Sequence, residues 1–271
     1  MSSPRVIIVG GSSGMGRGCA RAVVRAGGRA VICSRSQEKL DKAARNMAEA
    51  AANPKAGLEQ VETRVLDFTE ETAVESFFSG LEEKSVDALV VTALGPAAHG
   101  PFLSQPTEDF RRMMENKFFG PLFCAKHGAR VLKDGGGIVF VSGILSQRPG
   151  KNCSALSGAN GAIEGLTRAL ALELGPRLRV NCLSPGFVDT ERFDRMDPQR
   201  KDVMLQSVAA SVPLKSVGDP DQIGDALLFL ATHSYTTGVV LNCDGGHHVR
   251  QYAVPNAVFS QCKDQGIVLD L

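Results

Sequence analysis

The residues able to do chemistry fall into two groups, and the first is VGGSSGMG, Val9 to Gly16, which lies between an apolar strand pattern and a helical one. At a strand-to-helix junction Gly10 permits a tight turn, Gly14 allows close approach of the backbone to a ligand, and Gly16 lets helix and strand pack. With Ser12, Ser13 and Met15 they form a loop whose helix N-terminus faces an anion, the arrangement that takes a dinucleotide pyrophosphate. The next strand pattern ends CSRS. An acid there would accept a free ribose hydroxyl; Ser34 and Arg35 instead suit a 2'-phosphate, because guanidinium pairs with phosphate oxygens. The expected cofactor is therefore NADP(H) rather than NAD(H).

The second group carries acid/base potential. His99, in GPAAHGPF after the fourth strand pattern, is the best single acid/base candidate, since imidazole titrates near neutrality and loops beyond strand carboxyl ends line the crevice of an open sheet. Ser142 closes the fifth strand pattern, although alternation along a strand allows its hydroxyl to face away. Cys153 and Ser154 border the same region. Lys117 and Lys151 read as solvated surface charges. The only tyrosines are Tyr235, expected to pack before the last strand, and Tyr252, in a C-terminal tail.

The elements that must position these groups alternate. Strand patterns run Arg5–Val9, Ala30–Cys33, Val61–Leu66, Ala88–Val91, Gly137–Val141, Arg179–Leu183 and Val239–Cys243; helical patterns run Ser36–Ala52, Thr69–Leu81, Thr107–Leu132, Ser154–Leu174 and Pro220–Ala231. Buried-type strands alternating with helices predict an α/β, Rossmann-like, doubly wound seven-stranded parallel sheet in a single domain. Within 1–271 the cofactor-binding half is expected over 1–95, a substrate and helix-interface half over 96–246, and a tail over 247–271. A polar helical segment, Glu191 to Pro213, interrupts the alternation and is expected to close over substrate. Its apolar positions Phe193, Met196, Val203, Met204 and Leu205 either line the pocket or pack beneath it.

Composition narrows the partners. Lys plus Arg number 30 against 29 Asp plus Glu, so neither nucleic acid nor an anionic membrane is the expected partner. There is no apolar run of membrane-spanning length and no leader pattern, and the seven cysteines show no CxxC spacing, which favours a cytoplasmic protein without a metal site.

With these motifs in order, the chain resembles a short-chain dehydrogenase/reductase from roughly Val6 to Gly246. The family's TGxxxGxG corresponds to Val9 through Gly16, with Val9 in place of the threonine. Asp67 in LDF matches the acid that contacts adenine. SPGFVDT, Ser184 to Thr190, resembles the segment after the sixth strand, where Pro185, Gly186, the Val188 backbone and Thr190 would hold carboxamide and phosphates. TGVVLNCDGG, Thr237 to Gly246, resembles the family's last strand and turn.

The resemblance implies carbonyl reduction with a tyrosine as proton donor, a lysine that lowers its pKa and holds the ribose, a serine that orients substrate and a helix asparagine that supports a water relay. Asn116, in MENKFFG, matches the asparagine. The other positions depart: aligning GAIEGLTRALALEL places Leu156 at the tyrosine, Asn160 at the lysine and Gly143 at the serine, and the family's NNAG is TALG, Thr92 to Gly95. As a neutral amide, Asn160 can still hydrogen-bond the ribose. Three readings follow: an NADP(H)-dependent oxidoreductase acting on a small substrate that needs little protein acid, such as a conjugated alkene or an iminium; a non-redox isomerase, lyase or cyclase; and a catalytically inactive NADP(H)-binding protein. The small residues Ala155, Gly158, Ala159, Gly161 and Ala162, together with the resemblance, imply a homodimer or homotetramer.

Overall fold

The computed structural model describes residues 3–49, 59–95 and 97–249. Seven strands, β1 (Arg5–Val9), β2 (Arg29–Ser34), β3 (Val61–Val65), β4 (Val86–Val91), β5 (Leu132–Val141), β6 (Leu178–Pro185) and β7 (Val240–Cys243), form one sheet in the order β3-β2-β1-β4-β5-β6-β7. Every pairing is parallel. Each expected strand is present.

The side-chain period of two shows why both faces need cover. Ile7, Val31, Leu89, Ile138 and Val180 point to one face and pack with Val74, Phe78 and Ile163 from α3 (Glu71–Ser79) and α6 (Ser154–Leu174). Val6, Ile8, Ile32, Val90 and Val139 point to the other, against Cys19 and Val23 of α1 (Gly14–Arg25), Leu40 of α2 (Gln37–Glu49) and Leu227 of α8 (Pro220–Thr232). A strand buried on both sides reads as an unbroken apolar run, which is why these segments were legible.

α1 and α8 touch backbone to backbone: a Cβ on Gly18 would strike the Pro220 carbonyl, and one on Gly224 would strike the Gly18 peptide. α8 begins with a full capping box, Asp219 accepting from the Asp221 N–H at 2.7 Å while the Gln222 side chain accepts from the Asp219 N–H at 3.1 Å.

Two expectations change. The helical pattern from Thr107 to Leu132 is not one helix: α4 (Thr107–Met114) passes through a π-helical turn (Glu115–Phe119) into α5 (Gly120–Gly128), a 3₁₀ turn ends at Val131, and Leu132 already belongs to β5. Asn116 sits in that turn, its side-chain N–H donating to the Arg112 carbonyl at 2.8 Å, so a side chain intrudes on the helix's own ladder. The segment from Glu191 to Pro213 divides into a 3₁₀ turn (Glu191–Phe193) and α7 (Pro198–Ser211), on which Val203 is exposed rather than covered. Tyr252 and the rest of the tail beyond Val249 lie outside the described residues.

Candidate active site

The chain winds outward from β1 through β2 to β3 on one side and from β4 to β7 on the other, so a crevice opens beyond the ends of β1 and β4. A cleft of about 570 Å³ fills it, lined by the glycine loop including Ser12, Ser13 and Met15, by the end of β2, by Thr92–Gly95 and by Thr190–Arg192. Gly10 has φ +94°, its N–H donates to the Cys33 carbonyl at 2.8 Å, and a Cβ there would lie 2.6 Å from the Ala93 nitrogen. Gly14 has φ +49° and stands against Thr190, while a Cβ on Gly16 would strike the Gly10 carbonyl. The loop is thus built for glycine at each expected position.

The cleft holds charges of both signs. Ser13 precedes α1 in extended conformation without capping it by its own side chain; the Gly14 N–H donates instead to a Glu191 carboxylate oxygen at 2.7 Å, and Glu191 also pairs with Arg17. A protein carboxylate therefore stands in the seat where the helix N-terminus would hold pyrophosphate. At the end of β2, Ser34, Arg35, Ser36 and Lys39 line the cleft, and Arg35 is exposed and forms no ion pair with a described residue. Leu66 and Phe68 face the cleft, while Asp67 between them accepts from the Thr69 N–H and hydroxyl at 3.1 and 2.7 Å. Pro185 ends β6, Gly186 donates to the Cys243 carbonyl at 3.1 Å, and Val188 bridges to Gly218; this turn delivers Thr190 to the cleft wall.

Beyond the end of β5 lie the positions where a proton donor is expected. Gly143 and Asn160 meet there, the Asn160 side-chain N–H donating to the Gly143 carbonyl at 3.3 Å, and Leu156, one turn before Asn160 on α6, packs with an apolar group that includes Leu94, Ala97, Phe110 and Met114. The Asn160 amide is 2% exposed, and its oxygen has no hydrogen-bond partner among the described residues. Asn116 faces Gly95, where a Cβ would collide with its amide. The TALG departure thus keeps a glycine where the asparagine needs room.

The other candidates separate. Ser142 is buried, its N–H donating to the Leu183 carbonyl at 2.8 Å and its hydroxyl lying 3.5 Å from the same oxygen, so it faces β6 within the sheet rather than the cleft. It follows β5 directly and is not among the residues that line the cleft. His99 is exposed, with its Nδ1 3.5 Å from the Cys153 Sγ at the start of α6. Tyr235 is 97% exposed, in a turn before β7, and does not pack as expected. Lys117 departs furthest from expectation: it is 5% exposed, not a solvated surface charge.

Comparison with known proteins decides the family. The family model described as enoyl-(acyl carrier protein) reductase matches residues 9–248. A curated short-chain dehydrogenase/reductase of Acremonium is 32% identical over 89% of the chain and 94% of its own length. The chain belongs to the short-chain dehydrogenase/reductase family. Among solved structures, the reductase/Diels-Alderase MalC from Malbranchea aurantiaca superposes with a TM-score of 0.82 at 25% identity, covering 90% of this chain and 96% of that one. An NADPH-bound short-chain oxidoreductase of Pseudomonas aeruginosa PAO1, said to contain an atypical catalytic centre, superposes with a TM-score of 0.80 at 25% identity, covering 93% of this chain and 99% of that one.

In this short-chain dehydrogenase/reductase, sequence reasoning missed two charged groups. Glu191 was not singled out as a cleft residue, and its only signal was its place directly after Thr190. Lys117 follows Asn116 within an otherwise apolar run, KFFGPLF, which was the signal for burial. Its ammonium donates to the Ser142 carbonyl at 2.9 Å, one residue before the carbonyl that Asn160 uses. Its pKa is lowered to about 8, mainly by burial and also by Arg192, against the raising effect of Cys182 and Glu164.

Proposed function

We propose that this oxidoreductase binds NADP(H) and acts on a small organic substrate without the family's tyrosine and lysine. The observation that carries the reading is the contrast within one cleft. Its phosphate end keeps the glycine loop, the helix N-terminus, Arg35 and Thr190, while its Leu94 and Ala97 wall belongs to the apolar group that Leu156 packs with, and the family's tyrosine, lysine and serine positions behind that wall hold Leu156, Asn160 and Gly143, none of which titrates. When bound, the nicotinamide would supply or take hydride. The chain's own part is to seat the 2'-phosphate on Arg35 and Ser34, the pyrophosphate on the N-terminus of α1, and the substrate against the apolar wall around Leu156. Without a titratable donor at that wall, the reading favours a conjugated alkene or another activated double bond over a simple ketone. A proton would come from water or from His99, in the loop after β4, whose Nδ1 lies 3.5 Å from the Cys153 Sγ.

The test is titration with NADPH and NADH, following nicotinamide fluorescence and thermal stabilisation, with Arg35→Ala alongside. Preferential NADPH binding lost in the variant, followed by NADPH consumption with activated double bonds, supports the reading. No binding of either nucleotide refutes it.

A second reading, a cyclase that uses the cleft without net redox change, rests on the apolar group around Leu156 and on the likeness to a reductase/Diels-Alderase. Product formation unchanged after removal of the nucleotide distinguishes it.

A further inference from the structure

An isolated ammonium inside a protein is costly, so a lysine persists in such a place when its charge has work there. Lys117 lies within the π turn, a distortion that recurs at functional sites. Within that turn the lysine is 5% exposed. Of the ammonium's three N–H donors, one is directed to the Ser142 carbonyl at 2.9 Å. The adjacent carbonyl, Gly143, receives the Asn160 amide, whose own oxygen is buried and has no partner among the described residues. The charged and titratable groups that face Lys117 are the Cys182 thiol on β6, the Glu164 carboxylate on α6 and the Arg192 guanidinium after β6. Glu164 is 9% exposed and accepts from the Ser146 hydroxyl at 2.6 Å.

We propose that Lys117 supplies, from the neighbouring helix, the positive charge that Asn160 does not carry on α6. It acts as a positioning residue, holding the end of β5 and Asn160 for the nicotinamide-ribose end of the dinucleotide and favouring substrates in which negative charge develops on oxygen. The inference rests on the NADP(H) reading and deepens it. It selects conjugated carbonyls over iminium ions, because a nearby cation stabilises a developing enolate and opposes a substrate that is already positive.

The experiment measures NADPH affinity from pH 6.5 to 9.5 in the wild type, in Lys117→Met and in Lys117→Met/Asn160→Lys. A panel of enones and preformed iminium ions is assayed at each pH. In the wild type, NADPH affinity and enone kcat/KM should fall severalfold as pH rises through about 8. Lys117→Met should lie on the low plateau throughout, with enone turnover reduced at least tenfold and iminium turnover not reduced. The double variant should regain the loss by returning the cation to α6. A merely structural lysine would leave the pH profile's shape unchanged. Superimposable profiles for wild type and a folded Lys117→Met overturn the inference while leaving the NADP(H) reading intact; absence of NADPH binding by the wild type overturns both.

Discussion

Arg35 and Glu191 line the cleft with opposite charges, and Lys117 is buried against the end of β5. Arg35 stands exposed at the end of β2 with no described ion-pair partner, so a guanidinium–phosphate pair there forms without breaking another. Arg35→Ala is expected to weaken NADPH binding by roughly ten- to a hundredfold, consistent with about 1.5–3 kcal/mol for a charge-assisted hydrogen bond, and to leave NADH nearly unchanged. Competitive titration with the two nucleotides checks it.

Glu191 works in the opposite sense. Its carboxylate takes the Gly14 N–H and pairs with Arg17, so pyrophosphate must displace it. Glu191→Gln is expected to tighten NADPH binding severalfold at low salt, with the gain shrinking as salt screens the repulsion. An unchanged or weaker affinity at low salt would show that Glu191 does not contest the seat.

The lysine bears on stability as well as on binding. Its folded pKa of about 8 lies below the ordinary lysine value of 10.5, so the unfolded chain binds more protons between those values and stability rises with pH across that window. Below pH 8 the folded state bears the whole cost of the buried charge. Lys117→Met should therefore stabilise the protein at pH 7, by on the order of 3 kcal/mol, with the gain fading toward pH 10.5. Denaturant melts at both ends of the range measure this, and a variant less stable at pH 7 contradicts it.

At the scale of elements, helix ends and helix crossings set the frame on which the cleft hangs. The Asp219–Gln222 box starts α8, and Asp219→Ala should cost about 1 kcal/mol in chemical denaturation, the usual value of a lost N-cap. Gly224 allows α8 to touch α1 at Gly18, so Gly224→Ala must push the two backbones apart. Its expected cost is about 1–3 kcal/mol from overpacking, with weakened nucleotide binding because α1 carries the phosphate loop. Arg179 ties the frame together from β6, donating to the carbonyls of Leu230 and Ala231 at the C-terminal end of α8, at 3.1 and 2.6 Å, and to Gly135 on β5 at 3.2 Å. A cation at a helix C-terminus is favourable for the same dipole reason that an anion is favourable at the start of α1.

For the whole molecule, one surface invites a partner. Gly158, Gly161 and Gly165 on α6 open onto empty space, and Leu172 farther along the helix is 84% exposed. A second copy could approach closely along this low-profile face, and light scattering at micromolar concentration should find a dimer or tetramer. A monomer would refute that expectation. No helix among the described residues is long and apolar enough to cross a membrane.

Much of this protein was determined by its sequence alone, because the deciding interactions are local or periodic. Apolar runs buried on both faces marked the inner strands β1, β2, β4, β5 and β6, and glycines constrained by a single turn marked the phosphate loop between Val9 and Gly16. An arginine closing one strand marked the preference for a phosphate. Tertiary structure alone decided which polar groups face which way. Ser142, just past the end of β5, is buried with its hydroxyl toward the Leu183 carbonyl of the neighbouring strand, a contact that only strand pairing brings about. Lys117 is buried in the π turn between α4 and α5, with its ammonium on the Ser142 carbonyl 25 residues away, a contact made only in the assembled fold. Glu191 reaches the N-terminus of α1 across 177 residues of chain, a contact that only the assembled crevice brings about.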